Sequence, residues 1–145
     1  MRSEHTNYVV RPYTSNDNAG LAVMWNESDD QWPGTFTGGV PMTEKRVQEW
    51  MDEETCLMRL VAENTADSSI VGFGSLWENS GRKDSCYVAL LNIHPAHQKF
   101  SLARCMLTQM IDWASEHDYR RVTIQTCSST LKSFPLYKTF GFFSF

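Results

Sequence analysis

The chain has 145 residues, which suits one domain around a single core. Its 41% hydrophobic and 21% charged content is that of an ordinary globular chain, and no run approaches the ~20 apolar residues that a membrane helix needs. A formal net charge of -4 argues against a general nucleic-acid surface and suits a cationic partner such as an amine.

The first residues, MRSEHTNYVVRPY, are polar where a signal peptide needs its apolar stretch, so an intracellular, cytoplasmic protein is expected. Residues 7–13 (NYVVRPY) predict a first strand. Ser15 is placed to cap a helix over 16–28, in which Leu21, Met24 and Trp25 fall on one face. The next stretch, DDQWPGTFTGGVP, is rich in Gly and Pro and predicts a loop. Thr43 then caps a second helix over 44–54, with Val47, Trp50 and Met51 facing inward.

From residue 56 the apolar period changes to two. CLMRLVAE (56–63), SIVGFGSLWE (69–78) and SCYVALLNI (85–93) predict strands, separated by the turn-forming NTADS and NSGRKD. Three antiparallel strands in a meander follow. A helix is expected from about Ser101 to His117, then a strand over 120–127 and a short helical stretch leading into LYKTFGFFSF. The order β-α-α-β-β-β-α-β-α-β predicts an α/β (α+β) fold in one domain, 1–145, with no internal repeat. The chain stops as a new strand begins, and an edge strand needs a partner; pairing with a second copy or a tandem domain is the expectation.

Four cysteines at wide spacing, with no C-x-x-C pair, give no zinc ribbon or thioredoxin-like site. Cys86, Cys105 and Cys127 lie in apolar runs and read as buried free thiols. His94-Pro95-Ala96-His97 brings two imidazoles close but lacks a third ligand nearby, so no metal is expected.

Residues 92–117 carry the chemistry. A strand end, a turn at Pro95 and a long helix place Gln98, Lys99, Phe100, Ser101, Leu102, Ala103 and Arg104 at a helix N-terminus. Free backbone N–H groups there, with two cationic side chains, make either a phosphate cradle or a polar loop.

This order of elements, with Ile93-His94-Pro95 before Gln98-Lys99-Phe100-Ser101-Leu102-Ala103, and Tyr137, Gly141 and Phe142 near the end, resembles the GNAT superfamily of acyl-CoA-dependent N-acyltransferases. The family's pyrophosphate loop is Q/R-x-x-G-x-G/A and its later signature is Y-x-x-x-G-F. The resemblance implies a mixed, mostly antiparallel sheet with helices on both faces, splayed between strands 4 and 5, and acetyl-CoA as cosubstrate. It implies that backbone groups of Leu91, Asn92 and Ile93 bond the pantetheine arm from a bulged strand, that residues 98–104 hold the pyrophosphate, and that Tyr137 protonates the departing thiolate. The implied reaction is acetyl transfer to the amine of a small molecule or peptide. In the family, the loop after the first helix lies beside the acceptor. Asp29, Asp30, Trp32 and Phe36 there read either as an aromatic, acidic cup for an ammonium or as a loop tucked on the core.

Several positions depart from the pattern. Ser101 stands where the family has Gly, Thr130 replaces a frequent Asn, and Gln125 and Tyr87 occupy positions where other members carry a base. The remaining base candidates are Glu27, Asp29, Asp30, Glu78 and His94, or a water chain. The final hairpin strand is missing. With Ser101 and Gln125, this also fits a non-catalytic acyl-CoA-binding or scaffolding domain.

Overall fold

The computed structural model describes residues 7–28, 39–52, 55–79, 81–97 and 100–124. Among the described residues five strands form one sheet in the order β1-β2-β3-β4-β5: β1 Tyr8–Pro12, β2 Cys56–Asn64, β3 Ser69–Glu78, β4 Ser85–Ile93 and β5 Arg121–Ile124. The first four pair antiparallel, and β4 pairs parallel with β5. A parallel neighbour needs a crossover, which α3 (Phe100–Glu116) supplies. Among the described residues the remaining α-helices are α1 (Asn18–Glu27) and α2 (Glu44–Met51). Among the described residues no helix is long and apolar enough to cross a membrane.

Up to Ile124 the expected elements are present, with one revised start; the short helical stretch and final strand expected beyond it lie outside the described residues. Ser15 does not cap α1. Residues Ser15–Asp17 form a 3₁₀ turn after Thr14, and Asp17 is the residue that precedes α1. The Asp17 carboxylate accepts the N–H of Thr14 at 2.9 Å, so the chain spends its polar side chains on a tighter turn before the helix begins. Thr43 caps α2 as expected, its hydroxyl accepting the Arg46 N–H at 3.2 Å.

The sheet separates two cores. On one face α3 buries Leu102, Met106, Leu107, Met110 and Ala114 against Val10, Leu60, Leu76, Val88 and Ile93. Each large side chain so buried contributes about 1.5–3 kcal/mol. On the other face Leu21, Met24 and Trp25 of α1 and Val47 and Met51 of α2 cover Val61, Ile70 and Phe73. The ring of Trp25 lies 5.4 Å from both Trp50 and Phe73. Asn18 Nδ2 donates to Gln48 Oε1 at 2.8 Å and ties the two helices. Cys86 and Cys105 are buried free thiols, as expected; Cys127 lies outside the described residues.

β3 offers glycine where its neighbours and α3 pack against it. A Cβ on Gly72 would sit 2.8 Å from Ile93 Cδ1 and 3.0 Å from Ala62 Cβ; one on Gly74 would sit 3.2 Å from Met110 Cε.

Candidate active site

The expected bulge in β4 is present. Ala89 pairs with Ser75 and Asn92 with Phe73, so β4 carries one more residue than β3 between these points. Leu90 takes up the excess at φ 58°, a left-handed conformation that costs a leucine about 1–2 kcal/mol. Surrounding contacts must hold it there, and its side chain packs against the α1–α2 core. Beyond the bulge, His94 N–H donates to Val71 O at 2.8 Å. By antiparallel alternation, Asn92 and His94 therefore turn their peptide groups to β3, and Leu91 and Ile93 turn theirs toward the β5 side. The described β4–β5 pairing runs from Ser85–Arg121 to Val88–Ile124, ending short of the bulge. Any splay beyond that point lies outside the described residues.

β4 then runs through a 3₁₀ turn, Pro95–His97, toward α3. Helical backbone starts at Phe100 and continues for 17 residues. The first N–H groups of such a helix lack intrahelical acceptors and carry the positive end of its dipole. Leu102 is fully buried in the core, so it can offer a ligand only its backbone; Ala103 is half-buried and Arg104 exposed. A pyrophosphate fits this donor set, which supplies backbone N–H groups and a guanidinium without an acidic side chain between Leu102 and Arg104. Gln98, Lys99, Gln125, Thr130, Tyr137, Gly141 and Phe142 lie outside the described residues, as do Asp29, Asp30, Trp32 and Phe36.

Two of the separate base candidates meet. Glu27, the last residue of α1, accepts from His94 Nε2 at 2.8 Å across 67 residues of sequence. The Ala96 N–H points at His94 Nδ1 at 3.0 Å. That contact requires a lone pair on Nδ1, which puts the ring proton on Nε2, facing the carboxylate. Both ring nitrogens are thus engaged, and His94 serves as a donor that orients Glu27. The His97 ring lies edge-on to His94 at 5.7 Å and has its own partner, Tyr8 Oη at 2.8 Å from Nδ1. The two imidazoles turn to different neighbours, and no cluster of three metal-ligating side chains forms among the described residues.

Asn92 was expected to act through its backbone, and its side chain adds something unforeseen. It is 6% exposed, and its Oδ1 has no hydrogen-bond partner among the described residues. The same is true of the fully buried Ser28 Oγ, one residue beyond Glu27. Asn92 pairs with Phe73, whose ring packs on Trp25, so its carboxamide faces the α1 side, as does His94 two residues later. On the far side of this corner Asn26 holds the returning chain: its carboxamide donates to Met42 O at 3.1 Å and accepts Met42 N–H at 2.7 Å.

Glu78 and Tyr87 do not join this group. Glu78 pairs with Cys86 and Tyr87 with Trp77 and Thr123, at the opposite end of the sheet from Ile93. A cleft of about 350 Å³ bordered by Pro12, Tyr13 and residues 56–60 also lies toward that end.

The sequence profile described as the Acetyltransferase (GNAT) family matches residues 21–142. No curated protein matches the chain. Among solved structures, an N-acetyltransferase from Staphylococcus aureus Mu50 is similar, with a TM-score of 0.78, 17% identity, and 94% of this chain and 84% of that one covered. The structure of yncA from Salmonella typhimurium with its cofactor acetyl-CoA gives 0.75 at 19% identity, covering 95% and 80%. A glucosamine-6-phosphate N-acetyltransferase from Arabidopsis thaliana gives 0.72 at 13%, covering 94% and 92%. At these identities the likeness to solved structures is one of fold.

Proposed function

The chain belongs to the GNAT acetyltransferase family, and on that premise we propose that it transfers the acetyl group of acetyl-CoA to a primary amine of a small molecule or peptide. Acyl-CoA-dependent acetyl transfer is the family's chemistry, with acetyl-CoA as cosubstrate. The observation that best supports the finer reading is the strained bulge at Leu90, followed by a strand that leads into the N-terminus of a 17-residue helix. That succession gives one ligand two anchoring points, one for an extended amide-bearing arm and one for a diphosphate.

Bound acetyl-CoA supplies the acetyl group as a thioester, which an amine nitrogen can attack directly. Leu91 and Ile93 present main-chain groups to the arm like a neighbouring strand, and one N–H polarises the thioester carbonyl. Residues 98–104 hold the diphosphate through main-chain N–H groups, with Lys99 and Arg104 adding charge. As the carbonyl carbon bonds to nitrogen its bond to sulfur breaks. Tyr137 gives its hydroxyl proton to the departing thiolate and is reprotonated from solvent, to which the surplus proton of the amine passes. A phenol, ordinarily titrating near ~10, is a competent acid toward a thiolate whose conjugate thiol titrates near ~8.5.

The test is isothermal titration of acetyl-CoA into the natural chain and Arg104→Glu, followed by release of free thiol with an amine panel. Binding weakened about tenfold or more by Arg104→Glu, and turnover reduced by Tyr137→Phe, is the expected result. Binding without turnover of any amine would replace this reading with the scaffolding one, which Ser101 and Gln125 favour. No binding at millimolar acetyl-CoA would remove both.

A further inference from the structure

The corner between the end of α1 and the end of β4 is rich in oxygen acceptors. The last carbonyls of α1 lack helical donors and carry the negative end of its dipole. Glu27 extends from that end, 57% exposed, and its carboxylate is fixed in direction by the Nε2–H of His94. Ser28 follows Glu27 in the chain and Asn92 lies two residues before His94 on the same face of β4, and Ser28 Oγ and Asn92 Oδ1 are buried oxygens without partners among the described residues. An unpartnered buried oxygen disfavours the folded state, because it has left water without gaining a donor. A group retained under that penalty beside an oriented carboxylate points to a ligand that brings N–H donors and positive charge.

We propose that this corner recognises the acceptor as an ammonium ion, Glu27 pairing its charge and Asn92 Oδ1 accepting one of its N–H donors. The acceptor class is then a primary aliphatic amine, protonated near neutral pH, in preference to an aromatic amine or an alcohol. This deepens the N-acetyl transfer reading and rests on it for the acceptor's role. His94 acts through Glu27 and is a positioning residue. With its Nδ1 facing the Ala96 N–H, it has no lone pair to offer the amine. Glu27 is assigned to bind the ammonium, not to take its proton. The proton that must leave before attack goes to solvent.

Benzylamine and aniline separate the alternatives, because they are similar in shape and only benzylamine is cationic at pH 7.5. Each is titrated calorimetrically into the chain saturated with CoA, which cannot turn over. Benzylamine is expected to bind about tenfold tighter than aniline, and Glu27→Gln to abolish that preference while leaving CoA affinity unchanged. Asn92→Leu, which keeps the backbone and removes the orphan oxygen, is expected to weaken benzylamine and raise thermal stability. His94→Gln, which keeps an N–H donor, should retain more of the preference than His94→Leu. Equal binding of the two amines by the natural chain, or a preference that survives Glu27→Gln, overturns the proposal. If CoA fails to bind, the acetyl-transfer reading falls, while the same amine titration on the unliganded chain still decides the cation site.

Discussion

Arg11 shows how one side chain can set the acid behaviour of a fold. Its guanidinium donates to both oxygens of Asp17, at 2.9 and 2.8 Å, and to Glu63 Oε1 at 3.1 and 2.7 Å, joining β1, β2 and the turn before α1. Burial pushes the Asp17 carboxyl up, but hydrogen bonds from Arg11 and the Thr14 N–H, with the guanidinium charge, outweigh it and hold it below the usual carboxylate range. A carboxyl depressed in the folded state contributes stability that is present above its unfolded titration, near ~4, and is lost as pH falls below that. Asp17→Asn should therefore cost about 1–3 kcal/mol at pH 7 and lose less stability between pH 5 and pH 3 than the natural chain does. Urea unfolding across that range measures both quantities; parallel curves would show that another group governs the acid limb. At this scale the site was only partly legible. Glu27 and His94 each read as a base candidate, but nothing in a separation of 67 residues signals a contact. The orphan oxygen of Asn92 was invisible, because whether a carboxamide finds a donor depends on the whole surrounding shell.

Elements were the most legible level, since apolar spacing alone distinguishes a strand's period of two from a helix's of 3.6. Leu21, Met24 and Trp25 do share a buried face, and Thr43 does cap its helix. Departures come where the period is interrupted. β2 and β3 shift register between Ala62–Gly72 and Glu63–Ile70, which leaves Val71 as an extra residue. Ile70 and Phe73, three apart, consequently pack in the same core, while Val71 belongs to the opposite one. A strict alternation cannot foresee that. Nor does a glycine in a strand announce what approaches it. Gly72→Ala tests the close fit: its Cβ would press on Ile93 Cδ1 and on Ala62 Cβ, and the second is anchored directly to backbone. A loss of about 1–3 kcal/mol in urea unfolding is expected, with weaker acetyl-CoA binding because Ile93 is displaced from the bulged strand. A variant as stable as the natural chain would mean that Ile93 and Ala62 yield without strain.

For the whole molecule the decisive feature is that one sheet serves both cores and also holds β4. The α3 core and the α1–α2 core contact opposite faces of the same strands, and β4 contributes Val88 and Ile93 to the first and Leu90 to the edge of the second. The element order made the meander legible and the family resemblance a mixed sheet, whereas the parallel β4–β5 pair emerges only in the structure. How closely two cores are coupled through a sheet is not written in element order, because it depends on bulges and register. A ligand anchored on β4 and on the N-terminus of α3 should stabilise both cores together, provided they unfold as one unit. At acetyl-CoA one hundred times its dissociation constant the linkage is about 2.7 kcal/mol, which for a chain of this size raises Tm by about 5–10 °C. Far-UV ellipticity follows all the helices, whereas the tryptophan fluorescence of a Trp77→Phe, Trp113→Phe variant is weighted to Trp25 and Trp50 on the α1–α2 side. Both signals are expected to show one coincident transition and to move by the same amount with acetyl-CoA. Should ellipticity shift while fluorescence stays, the α1–α2 layer unfolds independently of the cosubstrate strand. The Glu27–His94 contact that bridges the two would then be too weak to couple acceptor and cosubstrate binding.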